Sequence, residues 1–253
     1  MIRVALVLRY RPRDILRLAR RYAPVFYHDT DDREYTADYI VAVDFDGDFV
    51  GNNNWENLNA EGADHRAVIY YSGIETETHW YLYYLTFHPR DWASNCQPVP
   101  FGPDLCHEND LEGAMVMVEK DETPGGRFLL MATEAHNNLD IFTNEPGITA
   151  LGSSHFRDTA VTFEDDTHPE LYVESKGHGV CALYFTDSYC KHDTASMPPV
   201  FGGGDGAGGS RVGAHPSEHQ CFGEHADLGE RRAQLVGDAG HELGAQARDL
   251  LVA

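Results

Sequence analysis

From residue 39 onward the chain alternates short runs of β-branched and aromatic residues with breaks of glycine, proline and polar residues. The runs at 39–45, 67–74, 79–87, 114–119, 128–133, 161–163, 171–174 and 180–185 predict eight strands. Gly47, Pro89, Pro124-Gly125-Gly126, Pro146-Gly147 and Lys176-Gly177 supply turns between them. No long helical pattern separates these runs, so the prediction is a mainly β chain. Its form is an antiparallel β-sandwich with a short N-terminal helix and a flexible or helical C-terminal tail.

The two ends depart from this rhythm. Ile15, Leu16, Leu18, Ala19 and Tyr22 recur at helical spacing after Pro12 and Asp14, among the basic residues Arg3, Arg9, Arg11, Arg13, Arg17, Arg20 and Arg21. This predicts an amphipathic helix whose basic face is solvated or meets an anionic surface. Residues 197–253 hold two aromatics, Phe201 and Phe222, and include the glycine-rich stretch 202–209, which reads as a flexible linker. Leu228, Leu235, Leu243 and Leu250 beyond it suit a helix interrupted by Gly229, Gly237, Gly240 and Gly244. Loss of strand-forming residues there is also what a weakly selected extension or a shifted reading frame would give. The expected division is a basic N-terminal helix (1–21), a β-sandwich (22–190) and a linker with tail (191–253).

Composition narrows the function. At 253 residues, with 42% hydrophobic residues, the chain has enough apolar material for one sizeable core. A formal charge of -22 repels nucleic acid over most of the surface. Five cysteines without a CxxC pair exclude a zinc ribbon and a thioredoxin-type motif. Cys96 with Cys106 and Cys181 with Cys190 form short-loop disulfides or remain separate thiols. The apolar run 4–8 lies between Arg3 and Arg9 and is too short for a signal-peptide core or a transmembrane segment, so a soluble chain with no evident export signal is expected.

The candidate chemistry centres on Cys106-His107-Glu108-Asn109-Asp110-Leu111-Glu112-Gly113, which leads into the apolar run 114–118. Alternate strand positions share a face, so Asp110 and Glu112 point one way and Leu111 the other. His107, placed in the preceding loop, would fold back toward them. Two carboxylates and one imidazole suit magnesium, manganese or calcium better than zinc. The plain alternative is two acids on the solvent face of an edge strand.

Histidines recur beside other strand ends, at His79, His88, His136 and His178. His136 and His178, each between a strand and a small-residue turn, are the candidate proton carriers. Glu174 and Lys176 alternate before His178, facing one pocket or forming an ion pair. The acidic stretch 44–48 fails the EF-hand pattern, because Phe49 and Trp55 stand where glycine and glutamate are required. The stretch 51–57 reads as turn chemistry or a cleft lining. His215, His219, Cys221 and His225 have near-zinc spacing without a framework. Residues 152–155 do not make a nucleophile elbow, and no phosphate-binding or dinucleotide loop is present.

The series His107 to Glu112, Ala135-His136, 168–173 and Gly177-His178 resembles the necrosis- and ethylene-inducing-like proteins, and their uncharacterised bacterial, fungal and vacuolar-sorting-type relatives sharing a His-x-x-Asp-x-Glu core. The resemblance covers about residues 22–190, with 44–57 and 75–92 closer to the uncharacterised relatives. It implies a β-sandwich in which His107, Asp110 and Glu112 surround a divalent cation. Against the family heptapeptide, Cys106 replaces glycine, Asn109 the second histidine and Leu111 tryptophan.

The first functional expectation is a metal-dependent hydrolase acting on an ester or phosphoester, with His136 or His178 carrying the proton. The alternative is a non-enzymatic binder in which the cation organises a rim for a small-molecule, glycan or lipid-headgroup ligand, as the resemblance to cytolysins implies. A purely structural metal site is the third.

Overall fold

The computed structural model describes residues 12–31, 36–92, 96, 106–136, 138–149, 155–185, 187, 190 and 210–213. Helix α1 (Pro12–Arg21) is followed by β1 (Val25–His28), β2 (Ile69–Glu75), β3 (His79–Asp91), β4 (His107–Glu119), β5 (Arg127–Ala135) and β6 (Asn138–Phe142). Then come β7 (Phe163–Glu164), β8 (His168–Val173), β9 (Val180–Ala182) and β10 (Ser210–Gly213). Two sheets result. One is the antiparallel meander β2-β3-β4-β5-β6, and the other has the order β10-β1-β8-β7 with β9 also paired to β8. The expected mainly β, sandwich-like architecture is observed, with β1 and β8 running parallel within it.

Alternation along β3 and β4 sets the core. Leu82 and Tyr84 of β3 and Ala114, Val116 and Val118 of β4 share one buried cluster with Phe26, Leu171, Val173, Val180, the α1 residue Leu18 and Tyr22 just beyond that helix. Each large apolar side chain sealed there contributes roughly 1.5–3 kcal/mol. Tyr81, Leu85 and Met115, on the opposite face, are buried with Leu139 and Ile141. Asp110 and Glu112 continue the inward series of Ala114 and Val116, so the sheet delivers two carboxylates to the end of the core.

Helix α1 forms as expected, and its basic face is partly tied down. Arg17 donates to the Pro124 carbonyl at 2.7 Å, and the Tyr22 hydroxyl lies 3.0 and 2.9 Å from the carbonyls of Gly125 and Gly126. Arg3, Arg9 and Arg11 lie outside the described residues, as do residues 150–154, the glycine-rich stretch and the tail helix. Ser210–Gly213, within the segment expected to be linker and tail, pairs antiparallel with β1.

Residues 39–45, expected to be a strand, form none: 39–42 are irregular and 43–46 make a turn that carries Phe45, which is buried with Val41, Leu58, Phe87 and Trp92. Acidic side chains support the bend that follows, at 46–50. Asp46 accepts from the Asp48 amide at 3.2 Å and Asp48 from the Val50 amide at 2.6 Å, while Gly47 takes φ +94°. Both short-loop disulfides, Cys96–Cys106 and Cys181–Cys190, are present.

Candidate metal centre

His107 belongs to β4 itself, not to the loop before it, because β3 continues to Asp91 and pairs it with His107. Asp91, His107 and Asp110 each present a ligand-type atom, all within 4.8 Å of one another. The group could bind a metal ion. His107 is exposed, Asp91 half-buried and Asp110 buried, so the donors form an open rim above the end of the core. His107 Nε2 stands 3.5 Å from Asp91 Oδ2. Glu112 is outside this close group. It lies two positions further into the core, and its Oε2 is buried without a hydrogen-bond partner.

The chemistry of the donor set is compatible with a cation. Burial first, and the neighbouring Asp110 charge second, raise the Asp91 carboxyl to about 6. Burial followed by the charges of Asp110 and Glu134 pushes Glu112 well above the usual carboxylate range. These acids repel one another in a poorly solvated place, and a positive ion among them would relieve the repulsion.

Beneath the rim, His178 is fully buried and clamped at both ring nitrogens. Nδ1 lies 2.8 Å from Asp110 Oδ2 and Nε2 lies 3.1 Å from Asp38 Oδ1. Burial alone would lower its pKa, but its hydrogen bonds to the two carboxylates and their charges prevail and hold it at about 10. The ring is therefore an imidazolium donating to both acids, and it fixes the orientation of Asp110. Asp38 also accepts from the Asp31 amide at 2.7 Å, the Lys176 amide at 2.8 Å and Trp92 Nε1 at 3.2 Å. Burial would raise its carboxyl, yet the His178 interactions and these amides keep it low. His88 stacks on His178 with ring centroids 3.8 Å apart, and its Nδ1 donates to the Asp38 carbonyl at 3.0 Å.

His136, the other expected proton carrier, is bound to Glu174, and that hydrogen bond raises its pKa. Lys176 pairs with Asp31. Gly177 allows this arrangement, since a Cβ there would stand 2.3 Å from His136 Cε1. Asn109, His136, Lys176 and His178 all have positive φ, from 50° to 70°. Side-chain-bearing residues seldom adopt this region, and its concentration at one rim is typical of a functional site.

No protein-family model matches the chain, and no curated protein matches it. Solved structures do match. The chain is similar in structure to necrosis and ethylene inducing proteins (NLPs). The non-toxic HaNLP3 protein is 12% identical, with 74% of this chain and 77% of that one covered at a TM-score of 0.43. Necrosis and Ethylene inducing Protein 2, from the causal agent of cocoa's Witches Broom disease, is 16% identical, with 71% and 72% covered at 0.36. NLPPya in complex with glucosamine is 14% identical, with 74% and 75% covered at 0.36.

The NLP-like motif marked His107, Asp110 and Glu112, but sequence reasoning missed Asp91 and Asp38. Asp91 could have been found by extending β3 past Pro89 and setting its end against His107. Asp38 carries no local signal, because its role depends on a connection that reaches the rim through tertiary packing.

Proposed function

We propose that the chain is a non-enzymatic binder in which a divalent cation, held by Asp91, His107 and Asp110 with Glu112 behind them, organises a rim for a sugar or lipid headgroup. The observation that carries this reading is an open donor group above His178, which is 0% exposed and engaged at both nitrogens and so cannot exchange a proton with a bound substrate. A hydrolase needs a group that gives up and retakes a proton near the reacting atoms. A binder needs only an accessible cation and surrounding acceptors, and hard oxygen ligands with one imidazole suit magnesium, manganese or calcium better than zinc. When bound, the cation would supply a Lewis-acidic centre for hydroxyl oxygens, while His178 holds Asp110 in place and Glu134 and Glu174 add negative charge around it.

Glucosamine is a suitable first probe, since an NLP structure holds it. Binding of glucosamine or of headgroup-bearing liposomes that needs Mn²⁺ or Mg²⁺ and disappears with EDTA is the expected result. Metal-dependent turnover in an esterase and phosphatase screen would overturn the reading in favour of the hydrolase. Metal binding without retention on any such ligand would reduce the site to a structural one.

A further inference from the structure

We infer that Asn109 is a positioning residue for the donor group: its left-handed backbone turns His107 and Asp110 to one side of β4, and its carboxamide locks that turn to the segment 51–55, a turn that runs into the short helix Asn54–Asn57. The inference rests on the proposed cation site.

His107 and Asp110 are three positions apart in a strand, where regular alternation places them on opposite faces. Their donor atoms nevertheless lie together. Between them Asn109 has φ +63°. The ladder with β3 omits the Pro89–Asn109 pair, running from His88–Asp110 to Arg90–Glu108, and proline has no amide hydrogen to donate there. Asparagine tolerates the left-handed region better than most residues.

The side chain then closes the arrangement. Asn109 Nδ2 donates to the Gly51 carbonyl at 2.6 Å, and Asn109 Oδ1 accepts from Asn54 Nδ2 at 2.9 Å. Gly51 leaves the space required, because a Cβ there would stand 2.6 Å from Asn109 Oδ1. Glu108 Oε1 accepts from the Trp55 amide at 2.9 Å, and Arg90 lies over the Trp55 ring at 4.2 Å. Segment 51–55 is thereby fastened to β3 and β4 beside the donors, which gives this asparagine-rich stretch a role in site geometry.

The test is Mn²⁺ titration of wild type, Asn109→Ala, Asn109→Gly and Asn54→Ala, followed by electron paramagnetic resonance, with metal-free melting temperatures alongside. Asn109→Ala is expected to bind Mn²⁺ about tenfold more weakly or worse, the usual penalty when a group orienting a ligand is removed. Asn109→Gly restores the backbone freedom without the clamp and falls between the two. Asn54→Ala removes one clamp from outside β4 and weakens binding severalfold. Wild-type affinity in the folded Asn109 variants and in Asn54→Ala would overturn the inference and leave the cation site standing. If the Asn109 variants do not fold, Asn54→Ala decides alone: weakened Mn²⁺ binding supports the inference, whereas a lowered melting temperature with unchanged affinity overturns it. A wild type that binds no Mn²⁺ removes the proposed site and the inference together.

Discussion

Among single residues, the buried histidines oppose one another in their response to pH. Burial lowers His28 from 6.5 to about 4, and burial followed by the His178 charge lowers His88 well below 6.5. On acidification the unfolded chain takes up these protons first, so both residues reduce stability as pH falls from about 6.5 toward 4. For His28 alone the loss is on the order of 3 kcal/mol. His178 acts the other way. With its folded pKa at about 10, its contribution is complete below 6.5 and is lost as pH rises toward 10. Asp91, raised to about 6, partly offsets the acid limb, because its folded form holds a proton longer than the unfolded one. Thermal melts in EDTA between about pH 4.5 and 7 should therefore show His28→Leu losing less stability on acidification than wild type. Equal losses would exclude His28 as a source of the acid limb. Of the rim residues, Asp110 and Glu112 were legible because alternate strand positions share a face. His178 was legible as a histidine at a strand end, but its two carboxylate partners were not, since Asp38 and Asp110 are 140 and 68 positions away in sequence.

At the level of elements, β4 links the core to the rim, and its close approach to β3 leaves no room at Gly113. A Cβ there would stand 2.2 Å from the Tyr84 carbonyl oxygen, a backbone atom that cannot swing aside. Gly113→Ala should cost about 1–3 kcal/mol and lower the melting temperature by about 3–10 °C. Gly147→Ala, where nothing lies within 4 Å, is the control and should barely change it. Similar melting temperatures for the two variants would contradict this packing. Strands rich in β-branched and aromatic residues were readable in sequence. The first half of β4 was less so, because its polar residues conceal a segment that extends as a strand through pairing with β3. The short β1 and β6 were not read, and 39–45 was misread, since its apolar residues Val41 and Phe45 are buried outside any strand.

In the whole molecule, composition and the spacing of turns made a mainly β sandwich legible. The partition into two sheets and the parallel β1–β8 pair depend on contacts far apart in sequence. An acidic chain of net charge -22 gathers Asp91, Asp110, Glu112, Glu134 and Glu174 around one end of its core. Binding a cation there couples to folding, so Mn²⁺ at about a hundred times its dissociation constant should add roughly 2.7 kcal/mol of stability. The most direct test is metal content by elemental analysis of wild type, Asp110→Ala and Asp91→Asn after equilibration with Mn²⁺ and desalting. Asp91→Asn leaves the His178 clamp intact, so it reports on metal binding even if Asp110→Ala is poorly folded. The account predicts stoichiometric metal in wild type and its loss in both variants. A metal-free wild type, or variants that retain as much metal as wild type, would contradict it.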